Sequence, residues 1–319
     1  MLFKRSIVTS APIAVAGLIL IGISIAAAQS KQRDVQISGR EVTILVTAHP
    51  HNQRMREAAM KLKADDFVVR EDKIPQQIIS VKRPAEAPPI LAVLVQDDLV
   101  SRVNNELDGI RDFIRRLPEG SRVMTAYVTV GSLQVRQDFT TDRDRAAGSL
   151  RILRSSSSGA PYNPYVEVIE ALRRFDSQPA GRRMILLVSD GLDTSHGFRS
   201  SSPMLSVDLD RAIHEAQRRG VAVFSFFAPT VGLTSESRMA VNFGQGSLIR
   251  LGDETGGEAF LTGTDFVTFD PYFKEFNEVL GLQWLITYRS STIGNSFRHI
   301  EVTTEQDVHL HYPSGYSPR

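Results

Sequence analysis

The sequence predicts an α/β protein built on a doubly wound, mostly parallel β-sheet with one antiparallel edge. Continuous apolar segments at residues 90–95, 184–188 and 221–227 have the pattern of strands that are buried on both faces. Segments with apolar residues at helical spacing lie between them, and this alternation is typical of parallel sheets. A chain of 319 residues is long enough for one dominant domain with smaller flanking parts.

The first 28 residues have the pattern of a secretory signal peptide. Lys4 and Arg5 precede an apolar run at residues 11–28, which is interrupted only by Ser24 and ends in Ala-Ala-Ala. A charged start, an apolar middle and an Ala-x-Ala end predict export to the periplasm or the extracellular space, with cleavage after Ala28. The alternative is an uncleaved anchor formed by residues 11–28, because a run of this length almost spans a bilayer.

A small β-rich module is expected at residues 29–84. Residues 41–47 read E-V-T-I-L-V-T, and shorter β-rich pieces follow before residue 82. The proline-rich segment 84–89 is a stiff connector and therefore a natural boundary. We expect the central domain to begin at residue 89 and to end at residue 265.

The central domain should alternate strands and helices. After the first buried strand, apolar residues from Val103 to Leu117 predict a helix that Pro118 ends. Residues 122–130 and 133–139 flank a Gly-Ser turn and predict the hairpin that supplies the antiparallel edge. Further helices are expected at residues 141–153, with Thr141 as the N-cap, and at residues 166–175, 207–219 and 247–255.

The C-terminal part, residues 266–319, is expected to hold a helix and then to return to β structure. Residues 282–288 alternate in hydrophobicity, as a half-buried strand does. Residues 299–303 and 308–312 have the composition of two more strands.

Composition excludes several classes of function. The chain has no cysteine, so it has no disulfide, no thiolate metal site and no cysteine nucleophile. Cleavage after Ala28 would remove two positive charges, Lys4 and Arg5, and would change the formal net charge from +1 to −1. We therefore expect no nucleic-acid partner, because such proteins usually carry a basic stripe. After residue 28 no apolar run is long enough to predict a membrane span.

Motifs for nucleotide binding and for hydrolysis are also missing. The sequence has no phosphate-binding loop of the Walker type and no Gly-x-Gly-x-x-Gly. It has no Gly-x-Ser-x-Gly nucleophile turn, so an exported hydrolase that uses His196 is the least favoured function. We expect the protein not to be an enzyme.

Carboxylates follow two of the buried strands. Asp97 and Asp98 come directly after the first strand, and Asp190 follows the second. Because parallel strands present their carboxyl ends at the same edge of a sheet, these side chains should lie near one another. Carboxylate oxygens suit Mg²⁺ or Ca²⁺. The alternative is that they only cap turns and helices.

Two histidine pairs form a weaker metal candidate. His49 and His51, like His309 and His311, are two residues apart, so each pair would point to one face of a strand. Imidazoles in this arrangement can bind a transition metal. Exposed strand histidines without a function are the more common case.

Several of these motifs together resemble the von Willebrand factor A domain. The resemblance rests on the apolar strand, the Asp-x-x-x-Ser motif at 97–101, the amphipathic helix and the motif L-L-V-S-D-G-L-D-T-S at 186–195. Residues 64–72 and 253–260 are similar to the flanks of VWFA-related exported proteins common in acidobacteria. The resemblance covers residues 41–319 and implies a von Willebrand factor A-like fold.

That family has a metal-ion-dependent adhesion site, and the resemblance assigns its residues here. Asp97, Ser101 and Asp190 match the first Asp, the last Ser and the late Asp of the site. The middle hydroxyl position is Leu99, which offers no oxygen, and the expected threonine loop at 159–164 contains no threonine. The resemblance therefore implies a degenerate site that holds Mg²⁺ or another divalent cation weakly or not at all.

The function implied by this resemblance is non-enzymatic binding of an unidentified protein partner. The loops at the strand ends would contact that partner, and a partner carboxylate would complete the shell of a bound metal. The alternative is a structural scaffold in the cell envelope whose degenerate site is silent.

Overall fold

The structure is a computed structural model, which describes residues 39–50, 52–156, 162–261, 268–292 and 294–318. The predicted signal segment and His51 lie outside the described residues. The described strands are β1 (Glu41–His49), β2 (Phe67–Glu71), β3 (Ile74–Pro75), β4 (Gln77–Lys82), β5 (Pro89–Gln96), β6 (Arg122–Thr129), β7 (Ser132–Thr140), β8 (Arg182–Ser189), β9 (Val221–Phe227), β10 (Ala259–Phe260), β11 (Gln283–Arg289), β12 (Arg298–Thr304), β13 (His309–His311) and β14 (Gly315–Tyr316).

The described helices lie mostly between the strands of the central domain. They are α1 (Gln53–Lys61), α2 (Leu107–Arg116), α3 (Arg143–Gly148), α4 (Pro164–Arg174), α5 (Val207–Arg219), α6 (Leu233–Glu236), α7 (Arg238–Thr255) and α8 (Asp270–Gly281). Short 3₁₀ turns occur at Ala64–Asp66, Pro84–Glu86, Ser101–Glu106, Phe175–Ser177 and Phe198–Ser201.

A six-stranded sheet forms the centre of the fold, in the order β10-β9-β8-β5-β6-β7. Every neighbouring pair is parallel except β6 and β7, which form the antiparallel hairpin at the edge. The strands that follow β5 in the chain are first added on one side of it, as β6 and β7, and then on the other side, as β8, β9 and β10. This reversal of direction is the arrangement of a doubly wound sheet. The predicted fold class is therefore confirmed.

Strand β5 shows why its sequence is continuously apolar. Leu91 and Val93 belong to the core on one face of the sheet, where α2, α3 and α8 pack. Ala92 and Leu94 belong to the core on the other face, where α4, α5 and α7 pack. Both layers remove the strand from water, so neither face tolerates polar residues.

Two further sheets join the beginning and the end of the described chain. Their strand orders are β13-β1-β11-β4 and β14-β12-β2-β3. In the first sheet β11 lies between β1 and β4, with Glu41 opposite Arg289 and Thr47 opposite Gln283. The predicted N-terminal module and C-terminal extension therefore share sheets and a third hydrophobic core.

Several helix boundaries differ from the expectations; for example, α3 ends at Gly148 and not at residue 153. Asp142 rather than Thr141 caps α3, because its side chain accepts the backbone N–H of Arg145. Helix α7 begins at Arg238, well before the expected residue 247. The sequence placed this start too late because glycines interrupt the apolar pattern of the helix. Helix α1 was not expected, because its residues are largely polar.

Arg182, at the start of β8, ties the central sheet to the flanking parts. Its guanidinium donates to the carbonyls of Pro84, Ala87 and Leu280 and to Oε1 of Gln283, at 2.7 to 3.2 Å. The residue is 2% exposed. Burial lowers the pKa of Arg182 to about 10. Four oxygen acceptors replace the water that a buried cation loses.

Candidate functional site

Three loops meet at the carboxyl end of the central sheet. They follow β5, β8 and β9, because parallel strands end at the same edge. Two backbone hydrogen bonds join the first loop to the third: Val100 N–H donates to Pro229 O at 3.0 Å, and Val231 N–H donates to Asp98 O at 2.9 Å. The loop after β5 is therefore held in place by the loop after β9.

A cleft of about 200 Å³ lies between these loops. Its polar lining includes two carboxylates, those of Asp98 and Asp190, together with the side chains of Gln96 and Thr230. The remaining lining residues are Tyr162, Leu192, Thr194, Val231, Gly232 and Leu233. The cleft is thus an acidic opening at the switch point of the sheet, where doubly wound folds usually bind their ligands.

Asp190 is the more deeply buried of the two carboxylates, with 3% of its surface exposed. Its Oδ2 accepts the hydroxyls of Thr230 and Thr234, both at 3.0 Å, and its Oδ1 accepts the backbone N–H of Leu192 at 3.1 Å. Burial first, and the nearby charge of Asp98 second, raise the pKa of Asp190 to about 6. A positive group in the cleft would therefore stabilise the ionised form.

Gln96 connects the two carboxylates. Its Nε2 donates to Oδ1 of Asp98 at 2.9 Å, and its Oε1 accepts the backbone N–H of Asp190 at 3.2 Å. The Ser189 hydroxyl also donates to the same Oε1. Burial raises the pKa of Asp98. Gln96 was not singled out from the sequence, because a lone glutamine at the end of an apolar strand has no distinctive pattern.

Helix α7 packs directly against this site because it has a glycine at the contact. A Cβ on Gly244 would lie 2.0 Å from the carbonyl oxygen of Asp190, which is far inside van der Waals contact. The glycine that obscured the helix in the sequence is therefore needed to bring α7 against the Asp190 loop.

Asp97 points away from the cleft that holds Asp190. Its carboxylate accepts two hydrogen bonds from the guanidinium of Arg151, at 2.7 and 3.0 Å, and forms an ion pair with Arg154 at 3.3 Å. Burial alone would raise the pKa of Asp97, but the hydrogen bonds from Arg151 and Arg154 outweigh it and lower the pKa. Because two arginines already supply the positive charge, Asp97 does not fit the role of a divalent-cation ligand.

Ser101 and Leu99, the other positions that the resemblance assigns, do not line the cleft. Ser101 is exposed at the start of a 3₁₀ turn, and it does not line the cleft with Asp190. Leu99 is fully buried and packs in the core of the α2 face. Tyr162 does line the cleft, and its hydroxyl donates to the carbonyl of Val128 at 3.3 Å. The structure thus brings Asp190 together with Asp98, and not with Asp97 and Ser101.

Asp193, His196 and Asp208 form a second polar group after β8. One ligand atom of each lies within 4.8 Å of the others. The carboxylates are already hydrogen-bonded: Asp193 accepts Ser206 Oγ at 2.8 Å, and Asp208 accepts Asn163 Nδ2 at 2.7 Å. This group was not predicted from the sequence, because Asp208 lies in the first turn of α5, where an acidic residue is ordinary.

His196 lies beside a serine, but the proton of that serine is directed elsewhere. The Ser195 hydroxyl donates to Oδ1 of Asp193 at 2.6 Å, and Nδ1 of His196 lies 2.9 Å from Oγ of Ser195. In a nucleophilic serine the hydroxyl proton is instead directed at the histidine. This arrangement differs from that of a hydrolase triad.

The fold and the cleft define an α/β module of the doubly wound class, with an antiparallel edge and an acidic strand-end cleft. Solved structures with similar folds include an aerotolerance-related membrane protein from Bacteroides fragilis (14% identity, TM-score 0.42, covering 60% of this chain and 98% of that chain). BatB from Bacteroides thetaiotaomicron is similar at 16% identity and TM-score 0.43, with the same coverage of each chain. The SpRpn10 VWA domain is similar at 9% identity and TM-score 0.39, over 61% of this chain and 92% of that chain.

These structural similarities are distant, and the fold class stands on the strand order itself. No protein-family model matches the sequence, and no curated protein matches it. Among the residues that the structure describes, no helix combines the length and the apolar character needed to cross a membrane.

Proposed function

We propose that this protein is an exported, non-enzymatic module that binds a protein partner through the loops at the carboxyl end of its central sheet. The observation that carries the proposal is the convergence of Asp98 and Asp190 on one cleft. Such a cleft offers a fixed position for one charged group of a partner, while the surrounding loops supply the contact area.

The partner group that complements this cleft is a basic side chain. Burial raises the pKa of both carboxylates, so a cation between them would offset the desolvation and the mutual repulsion. In a metal-dependent adhesion site that cation is a metal, and the partner supplies a carboxylate. Here Leu99 provides no hydroxyl and Asp97 is neutralised by arginines, so an arginine or lysine of the partner takes the place of the metal.

Divalent cations have only a secondary role in this proposal. Asp193, His196 and Asp208 have the spacing that one ion could bridge. Binding there would displace hydrogen bonds that both carboxylates already accept, so we expect a dissociation constant weaker than about 1 mM. Calorimetric titration with Mg²⁺, Mn²⁺ and Ca²⁺ measures this value.

The experiment for the cleft uses two blocked tripeptides, Gly-Arg-Gly and Gly-Asp-Gly, titrated into the mature chain while backbone amide NMR signals are recorded. The arginine peptide should shift the amides of the loops after β5, β8 and β9. Asp98→Asn should weaken its affinity about tenfold, which corresponds to about 1.4 kcal/mol. Asp108→Asn is the matched control, because Asp108 is exposed on α2 and should leave the affinity unchanged.

Other outcomes would favour the other functions. If neither tripeptide shifts the loop signals, the silent envelope scaffold is supported. If a hydrolytic activity is found and is lost in His196→Ala, the protein is an enzyme.

Export is tested separately: N-terminal sequencing of the exported protein should begin at Gln29, and an intact Met1 in a membrane fraction would support the anchor.

A further inference from the structure

The opening of the Asp98–Asp190 cleft is apolar, although acidic groups lie deeper inside it. Val231 and Leu233 line the cleft together with the two carboxylates, and they are 37% and 47% exposed. Asp190, in contrast, is 3% exposed. The order of exposure therefore places the charge of Asp190 inside the cleft and the two apolar side chains at its opening.

The loop after β9 holds these two apolar residues in a fixed position. Val231 N–H donates to the carbonyl of Asp98 at 2.9 Å, and the carbonyl of Leu233 accepts the N–H of Ser237 at 2.8 Å. Gly232, between them, has a φ of 131°, a conformation that residues with a side chain rarely adopt. The backbone therefore fixes Val231 and Leu233 beside the carboxylates without burying them.

The inner walls of the cleft are also largely apolar. Leu192, from the loop after β8, and Tyr162 line the cleft, and both residues are buried. The Tyr162 hydroxyl donates to the carbonyl of Val128, so its proton is not available to the carboxylates. A charged group that reaches Asp190 must therefore pass between apolar side chains.

This arrangement complements a side chain that has an apolar stem and a cationic tip. Arginine and lysine carry their charge on stems of three or four methylene groups, and such stems bind along apolar surfaces. An N-terminal amine or a short-stemmed cation would leave Val231 and Leu233 exposed to water. A hydrated metal ion would gain nothing from these walls, because it has no apolar surface to bury.

We propose that Val231 and Leu233 are the specificity-determining residues of this cleft, and that they select a partner arginine or lysine by its apolar stem. This selection rests on the proposed function, because it concerns the same cleft and the same basic group. The cationic tip pairs with Asp98 and Asp190, and the stem packs against the two apolar residues at the opening. Cations without a stem bind more weakly, because they bury less apolar surface.

The probes are two blocked tripeptides that carry the same charge on stems of different length. One is Gly-Arg-Gly, and in the other the arginine is replaced by 2-amino-3-guanidinopropionic acid, which has one methylene group instead of three. Both are titrated into the full mature chain, and the dissociation constants are measured from backbone amide NMR shifts. We expect the short-stemmed peptide to bind about tenfold more weakly, because two methylene groups lose their contact with the walls.

Variants of the two wall residues locate the stem. Leu233→Ser and Val231→Ser should each weaken Gly-Arg-Gly about fivefold and leave the affinity of the short-stemmed peptide unchanged. Ile249→Ser is the matched control, because Ile249 is 42% exposed on α7 and does not line the cleft. All three side chains are exposed, so the variants should fold, and thermal unfolding of each variant checks this.

Three outcomes distinguish selection by the walls from the proposed binding of a basic group. Equal affinities for the two peptides, both weakened by Asp98→Asn, would keep the proposed function and overturn the selection by stem length. An equal loss for both peptides in Leu233→Ser would also overturn it, because the leucine would then not contact the stem. If neither peptide binds the unmodified chain, the proposed function fails, and the selection fails with it.

Discussion

At the scale of single residues, the candidate site turns on the difference between Asp97 and Asp98. The two neighbours follow the same strand, yet Asp97 faces Arg151 whereas Asp98 faces the cleft with Asp190. The resemblance to the von Willebrand factor A domain favoured Asp97, because Ser101 completes the Asp-x-x-x-Ser motif with it. The arginine that neutralises Asp97 is 54 residues away in the chain, so no local pattern could reveal the pairing.

Glu167 shows the effect of a buried carboxylate without a cation. It is 3% exposed on α4, and its Oε2 has no hydrogen-bond partner. Burial raises the pKa of Glu167 to about 7. Because the folded pKa exceeds the unfolded value of 4.5, its protonation favours the folded state, and this stability is lost as the pH rises from about 4.5 to about 7.

Glu167→Gln should therefore stabilise the protein, and the gain should grow with pH. Near pH 8 we expect up to about 3 kcal/mol, and at about pH 4 almost none. Thermal unfolding at several pH values measures this difference. Glu170→Gln, on the same helix and more exposed, is the control. A gain that does not depend on pH would contradict the assignment of Glu167 as a buried acid.

At the scale of elements, the strands and the fold class were predictable from the sequence, whereas the boundaries of the helices were less predictable. Strands β5, β8 and β9 are continuous apolar runs, because helices cover both faces of the sheet. The start of α7 was missed because Gly244 has a low helix propensity. The glycine is present because α7 packs closely against the Asp190 loop at that position. Pairing between β1 and β11 joins residues about 240 apart in the chain, which no local pattern encodes.

Leu94 in β5 and Leu187 in β8 test the sheet directly. The two residues are opposite each other in adjacent parallel strands, and both are fully buried in the same core. Replacing either leucine by alanine should cost about 2–5 kcal/mol of unfolding free energy, because the lost side chain leaves a cavity. Denaturant unfolding provides the measurement, with the exposed Ile152→Ala as the control. A loss below about 1 kcal/mol at both positions would contradict the sheet core.

At the scale of the whole molecule, the flanking sheet is attached to the central unit by a charged contact. Nε2 of His49, in β1, lies 2.9 Å from Oε2 of Glu258, just before β10. The hydrogen bond with Glu258 raises the pKa of His49, although burial opposes this, and Glu275 on α8 adds to the increase. Protonation of His49 therefore strengthens the link between the two sheets.

His49→Gln should destabilise the protein more in mild acid than in mild base. A raised folded pKa means that the stabilisation is complete below the unfolded pKa of about 6.5 and is lost as the pH rises through the folded pKa. Unfolding measured at about pH 5.5 and about pH 8 provides the comparison. His214→Gln, at an exposed position on α5, is the control. An equal loss at both pH values would contradict a charged contact.

The central claim is that the module binds a basic group of a partner in the Asp98–Asp190 cleft, without a resident metal. The most direct test is the affinity of the blocked Gly-Arg-Gly peptide, measured by titration of the mature chain in a chelator and again in excess Mg²⁺. The account predicts binding in the chelator that is weakened about tenfold in Asp98→Asn and does not increase with Mg²⁺. Binding that requires Mg²⁺, or a preference for Gly-Asp-Gly once Mg²⁺ is present, would contradict it.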